Sequence, residues 1–158
     1  MKKTLIALVA LVLFVGAGAK LQAATSDQIT ITVTLEVISV SVTPDSWDIG
    51  VIKASETPVQ DPCVATNDGN VTEDLTISVG NSGDWTVGTV AAENVFVLDY
   101  GPAGGDYTSN ITAAGVSLKG NLDADATHSF GLEFNPPTSS TSKAQQTITV
   151  TISASATP

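Results

Sequence analysis

His128 is the only histidine in the chain and Cys63 the only cysteine, and there is no arginine. These counts restrict the chemistry available. A Ser-His-Asp site needs an imidazole between a hydroxyl and a carboxylate; "DADATHSF" places Asp123, Asp125 and Ser129 near His128, but without the strand-turn-helix context of a nucleophile elbow. Without a second His or another Cys there is no zinc set and no Cys-His pair to point to. Glycosidic cleavage by two carboxylates needs an apolar setting that raises the pKa of one of them, and no acidic pair here has such neighbours. The expectation is a protein that is not an enzyme.

Binding chemistry is better represented. Asp68, Asn70, Glu73 and Asp74 crowd one turn, and Asp123 and Asp125 alternate in "NLDADAT", so hard oxygen atoms lie close together in loops as Ca²⁺ requires. Asp99 and Asp106 flank a glycine loop in the same manner. None of these stretches has the twelve-residue loop pattern, and acidic turns are also simply solvated turns. Calcium is therefore the one candidate cofactor. Trp47, Trp85, Tyr100 and Tyr107 stand beside turns and offer a platform for glycan rings; the competing reading is that the two tryptophans close the ends of a core.

The elements that would position these residues are strands. "DLTISV" puts Leu75, Ile77 and Val79 on one face, "SFGLEFN" does the same with Phe130, Leu132 and Phe134, and "QTITVTISASA" with Ile148, Val150, Ile152 and Ala154. Between them, "TPDSWD", "TNDGN", "GNSGDW", "YGPAGGDY", "KGNLDADA" and "NPPTSSTS" concentrate the residues that turn a backbone. No stretch after the first two dozen residues holds a helical period. Short strands punctuated in this way predict an all-β, antiparallel two-sheet sandwich of about seven to nine strands, with a closed barrel as the competitor.

Residues 1–24 read as a secretory signal peptide: Lys2 and Lys3, an apolar run from Leu5 to Val15, then small residues. That run is too short for a mature membrane span. Residues 25–158 then form a single domain, and within it three lysines face sixteen acidic residues, a net charge of −13. A surface this negative repels nucleic acid and anionic headgroups at ordinary salt, so both are poor candidates for partners. With one cysteine no disulfide forms within the chain, so stability rests on burial and pairing; Cys63, in "VQDPCVATN", is expected as a small buried residue, with an intermolecular bridge as the alternative.

"SVTPDSWDIGVI" followed by "VATNDGNVTEDLTISV" resembles the immunoglobulin-like sandwich domains of secreted and surface bacterial proteins. Asp48-Ile49-Gly50-Val51 corresponds to their Asp-Phe-Gly-x-Val step and Asn67-Asp68-Gly69-Asn70 to their Asn-x-Gly-Asn turn. The likeness covers residues 38 to 80 and implies secretion and an immunoglobulin-like sandwich, but no chemistry. Physically, Gly50 lets the chain bend, Ile49 and Ile52 are placed to fill the core, and Asp68-Gly69 suits a tight hairpin.

The opening run, "QITITVTLEVISVSVT", changes phase. Ile29, Ile31, Val33, Leu35 and Val37 share one parity; Ile38, Val40 and Val42 carry the apolar face on the other. Fully extended, Ile29–Val42 would span roughly 46 Å at about 3.3 Å per residue, longer than the ~36 Å diameter of a domain this size. Two readings remain open. Either the strand bends at Val37-Ile38 and changes sheet through a bulge, or its first half pairs with a neighbouring subunit. The function expected is an exported structural or adhesive protein, extracellular, at the cell surface or in the periplasm. Its partners would be further copies of itself or other envelope proteins, with Ile29, Ile31, Val33, Leu35 and Val37 as the assembly strand. The rival is a small extracellular module binding glycan or calcium.

Overall fold

A computed structural model describes residues Ser26–Pro158; the expected signal peptide lies outside them. The described residues fall in two units, one ending at Thr34 and the other Leu35–Pro158. In the first, the described stretch Ser26–Thr34 forms neither strand nor helix. The second is all-β. Its strands are β1 (Val40–Thr43), β2 (Val59–Asn67), β3 (Glu73–Val79), β4 (Thr86–Val87), β5 (Val95–Pro102), β6 (Ser109–Asn110), β7 (Val116–Leu122), β8 (Thr127–Asn135) and β9 (Val150–Ala156). Among the described residues no helix is long and apolar enough to cross a membrane.

The strands form two sheets. One runs β1-β2-β8-β5-β4, with β6 also on the outer side of β5; the other runs β7-β3-β9. All pairings are antiparallel except β4 with β5. The period-2 pattern explains the core. Leu75, Ile77 and Val79 of β3 are fully buried, as are Phe96 of β5 and Phe130 of β8, with Leu132 and Phe134 close behind. Each such side chain contributes about 1.5–3 kcal/mol of transfer free energy, an upper estimate, and Phe96 and Phe134 add a tilted ring pair at 5.7 Å.

The Asn67–Asn70 turn departs from expectation. A hairpin would join paired strands, but β2 and β3 lie in different sheets, so the turn is a crossover from one layer to the other. Its side chains supply the reason. Asn67 is fully buried, donates from Nδ2 to the carbonyls of Val71 and Leu122, and accepts the Gly69 N–H on Oδ1. A buried amide satisfied at both ends fixes the corner that a ladder would otherwise fix. The Asp48-Ile49-Gly50 step behaves as its residues suggest. Gly50 has φ +69 and donates its N–H to the Asp48 carboxylate, while Ile49 and Ile52 are half-buried against the core.

Candidate functional site

β1 begins where β2 ends: Val40 pairs with Asn67, the last residue of β2. Residues ahead of Val40 therefore run past their ladder partner, and the crossover turn holds them instead. Asn70 Nδ2 donates to the Leu35 carbonyl and Asn70 Oδ1 accepts the Val37 N–H, both at 2.8 Å. The Asn70 N–H donates to the Val37 carbonyl at 3.0 Å, and the Asp68 N–H to the Ser39 carbonyl at 2.8 Å. Ser39 donates its own N–H to Glu73 Oε1 at 2.8 Å. All these backbone groups belong to residues 35, 37 and 39, so one edge of the segment is occupied as a strand edge would be, by a turn and two side chains. Gly69 sits against this segment so closely that a Cβ would meet the Val37 carbonyl oxygen and Glu73 Oε1.

The phase change falls inside the clamp; Val37 and Ile38 on either side of it are both about half exposed, and the two halves diverge beyond them. Val40 and Val42, on the second parity, pack against the core. Ile29, Ile31, Val33 and Leu35, on the first, are 92%, 85%, 79% and 79% exposed, and Val37 is about half exposed at 49%. None of the five lies in a strand. Among the described residues the sheet-switching alternative is not what the chain adopts: β1 joins the β2 sheet, and Ser26–Ser39 adds no strand to the other.

The calcium candidates are placed around the same corner, where most have protein partners. Asp74 Oδ1 accepts the Asn121 N–H at 2.8 Å and the Thr157 hydroxyl at 3.3 Å, and Asp123 accepts the Thr72 hydroxyl at 3.2 Å. Asn70 is committed to the clamp. Asp68 and Asp125 face solvent. Glu73 is fully buried; its Oε2 has no hydrogen-bond partner among the described residues. No three Asp, Glu, His or Cys side chains among the described residues come together as a metal-holding group.

The remaining candidates are tied into the sandwich. Trp85 packs on Phe134 at 6.5 Å and donates its indole N–H to the Ser140 hydroxyl; Tyr100 donates to the Ser117 carbonyl at 2.7 Å; Trp47 is half-buried against the core. Tyr107 donates to Asp61 at 2.7 Å, and that bond to a carboxylate, with some desolvation, pushes its pKa up to about 12. Cys63 lies buried in β2, and burial, then the nearby Asp61 carboxylate, push its thiol up, which keeps it protonated and unreactive. His128 stacks on Phe130 with ring centroids 6.3 Å apart, and burial lowers its pKa. Asp106 is solvent-exposed, whereas Asp99 is buried and accepts from the side-chain amides of Asn110 and Asn135.

Sequence reasoning missed the clamp. Asn67, Asn70 and Glu73 are legible as turn or ligand residues; that Asn70 pairs with backbone some thirty-five residues away has no local signature. No family model matches the chain, and no curated protein or solved structure matches it either.

Proposed function

We propose that this is an exported, non-enzymatic structural or adhesive protein of the cell surface that assembles with further copies of itself through its N-terminal strand. The observation that carries the reading is Ile29–Val37: five apolar side chains at strand spacing, exposed, beside a second half of the same run whose valines enter the core. Burying even three of them would contribute on the order of 5 kcal/mol before the cost of ordering the segment. A contact in which one copy's N-terminal strand meets a different surface of the next is heterologous and grows head to tail. The immunoglobulin-like resemblance is held at the level of a two-sheet sandwich. An immunoglobulin constant domain orders its sheets ABED and CFG, whereas this chain sets β2 beside β8 and β3 between β7 and β9.

The glycan or calcium module has less behind it, because the carboxylates and aromatic rings it would use are largely engaged with the protein's own groups. Electron microscopy and sedimentation of the purified mature chain test the assembly reading. Filaments or a concentration-dependent size are expected; a monomer at every concentration would refute it.

A further inference from the structure

The four outer edges of the two sheets are finished differently. β1 is four residues long. The outer side of β5 is covered along one part by β4 and along another by β6. β7 pairs with β3 through two register shifts, carries Lys119 and includes Asn121 at φ 51, so it is bulged and charged. These are the ordinary means of preventing strand addition. β9 has none of them. Its seven residues pair with β3 in unbroken register from Val150 opposite Val79 to Ala156 opposite Glu73. Gln145–Pro158 contains no charged residue, and β9 itself contains no glycine or proline.

The core beneath β9 is also incompletely covered. On β3, Leu75, Ile77 and Val79 are fully buried, yet their partners Ala154, Ile152 and Val150 are only half-buried. The difference lies in what stands beside each strand: among the described residues β3 has a neighbour on both sides and β9 on one. On the facing sheet the nearest strand is the short β1, whose Val40 and Val42 are likewise half-buried.

Taking the strand-donation reading as its basis, we propose that the free edge of β9 is the acceptor, and that its occupant is Ile29–Val37 of a second copy. The two segments match in length and parity. Nine donor residues span roughly 30 Å and the seven of β9 roughly 23 Å, so the donor covers the whole edge. With Ile29, Ile31, Val33, Leu35 and Val37 turned inward, the added strand extends the apolar layer that Val150, Ile152 and Ala154 leave unfinished. Thr30, Thr32 and Thr34 then stand in line with Thr151, Ser153 and Ser155 on the solvent face, where such pairs suit a sheet. Glu36 is the one charged residue of the donor and shares the solvent-facing parity of Thr30, Thr32 and Thr34; Gln28–Leu35 is uncharged, as is the β9 region, so these stretches approach with little of the repulsion that the rest of an acidic surface imposes. Ladder hydrogen bonds would supply affinity and the alternating side chains the register.

The test is backbone hydrogen exchange on the full mature chain, comparing assembled wild type with the double variant Ile31→Asp, Val33→Asp, whose changes fall on exposed positions and leave the sandwich intact. The outward-facing N–H groups of β9 should exchange at least about tenfold more slowly in assembled wild type than in the variant, with β1, β5 and β7 unchanged. Protection gained at β1, β5 or β7 instead would overturn β9 as the acceptor while leaving strand donation standing. Protection at β9 in a wild-type chain that stays monomeric would overturn the second copy as occupant, because the segment would then have returned to its own chain. No assembly and no difference in exchange would remove the underlying reading together with this one.

Discussion

Ile29–Val37 and Ile38–Val42 are adjacent halves of one alternating run, similar in composition. The second half sends Val40 and Val42 into the core of its own chain; the first leaves every apolar side chain exposed. Hydrophobicity therefore does not separate them. What does is the end of β2: a strand can be buried only as far as its neighbour extends, and Asn67 is where that neighbour stops. The one-residue change of phase sits next to this limit, between a segment that serves the chain's own fold and one whose apolar side chains stay exposed.

The sharpest way to break the comparison is to place the same charge in each half. Ile31→Asp with Val33→Asp should abolish assembly and leave the monomer's thermal midpoint unchanged. Val42→Asp, which puts a carboxylate against the core, should cost the fold about 3 kcal/mol or more, read as a drop in the urea midpoint. Equal loss of stability in both would erase the distinction.

A smaller effect separates the two partners of one ladder. Ile77→Ala, at a fully buried site, should destabilise by about 2–5 kcal/mol. Ile152→Ala, its half-buried cross-strand partner, should cost only about 1–2 kcal/mol in the monomer because part of its surface is already wet. In the assembled state the cost of Ile152→Ala should rise toward that of Ile77→Ala.

The clamp itself is tested next. Asn70→Ala removes two exposed hydrogen bonds to Leu35 and Val37 and should lower stability by about 1 kcal/mol, with faster local motion of residues 35–37 in NMR relaxation. Glu73→Gln keeps an acceptor for the Ser39 N–H and should stay within about 1 kcal/mol of wild type, whereas Glu73→Ala loses that acceptor and should cost about 1–3 kcal/mol.

The smallest effect is a pH slope. Burial lowers the pKa of His128 below its ordinary 6.5, so the unfolded chain takes up the proton first. Stability is then fully present above about pH 6.5 and falls as the pH drops toward the folded-state value. His128→Gln should flatten that part of the curve in denaturant melts taken across the range, and an unchanged slope would point to the carboxylates instead.

The strands of the core are legible in the sequence, because alternation at Leu75-Ile77-Val79 and Phe130-Leu132-Phe134 records which face must leave water. The exposed N-terminal segment was legible as an alternative, since a run of fourteen residues is longer than the domain and its phase change marks a break. The order of strands was not, because any two amphipathic strands of similar length can be neighbours as far as local pattern is concerned. The reversal of expectation at Asn67–Asn70 has the same cause: Asn-Asp-Gly-Asn requires a turn, but whether that turn joins strands of one sheet or passes between two depends on Val71 and Leu122, whose carbonyls the buried Asn67 binds.

By itself the amino-acid sequence determined that this chain is all-β, strongly acidic and short of reactive side chains, since periodicity, charge and residue type are properties of the residues themselves. Only the tertiary structure decided which edge was left with an unbroken register beside a half-covered core, and which polar groups hold the chain's own residues 35 to 39. Those are relations between segments far apart in the chain. They come into being when the sheets pack, because an edge is an edge only by virtue of the neighbour it lacks.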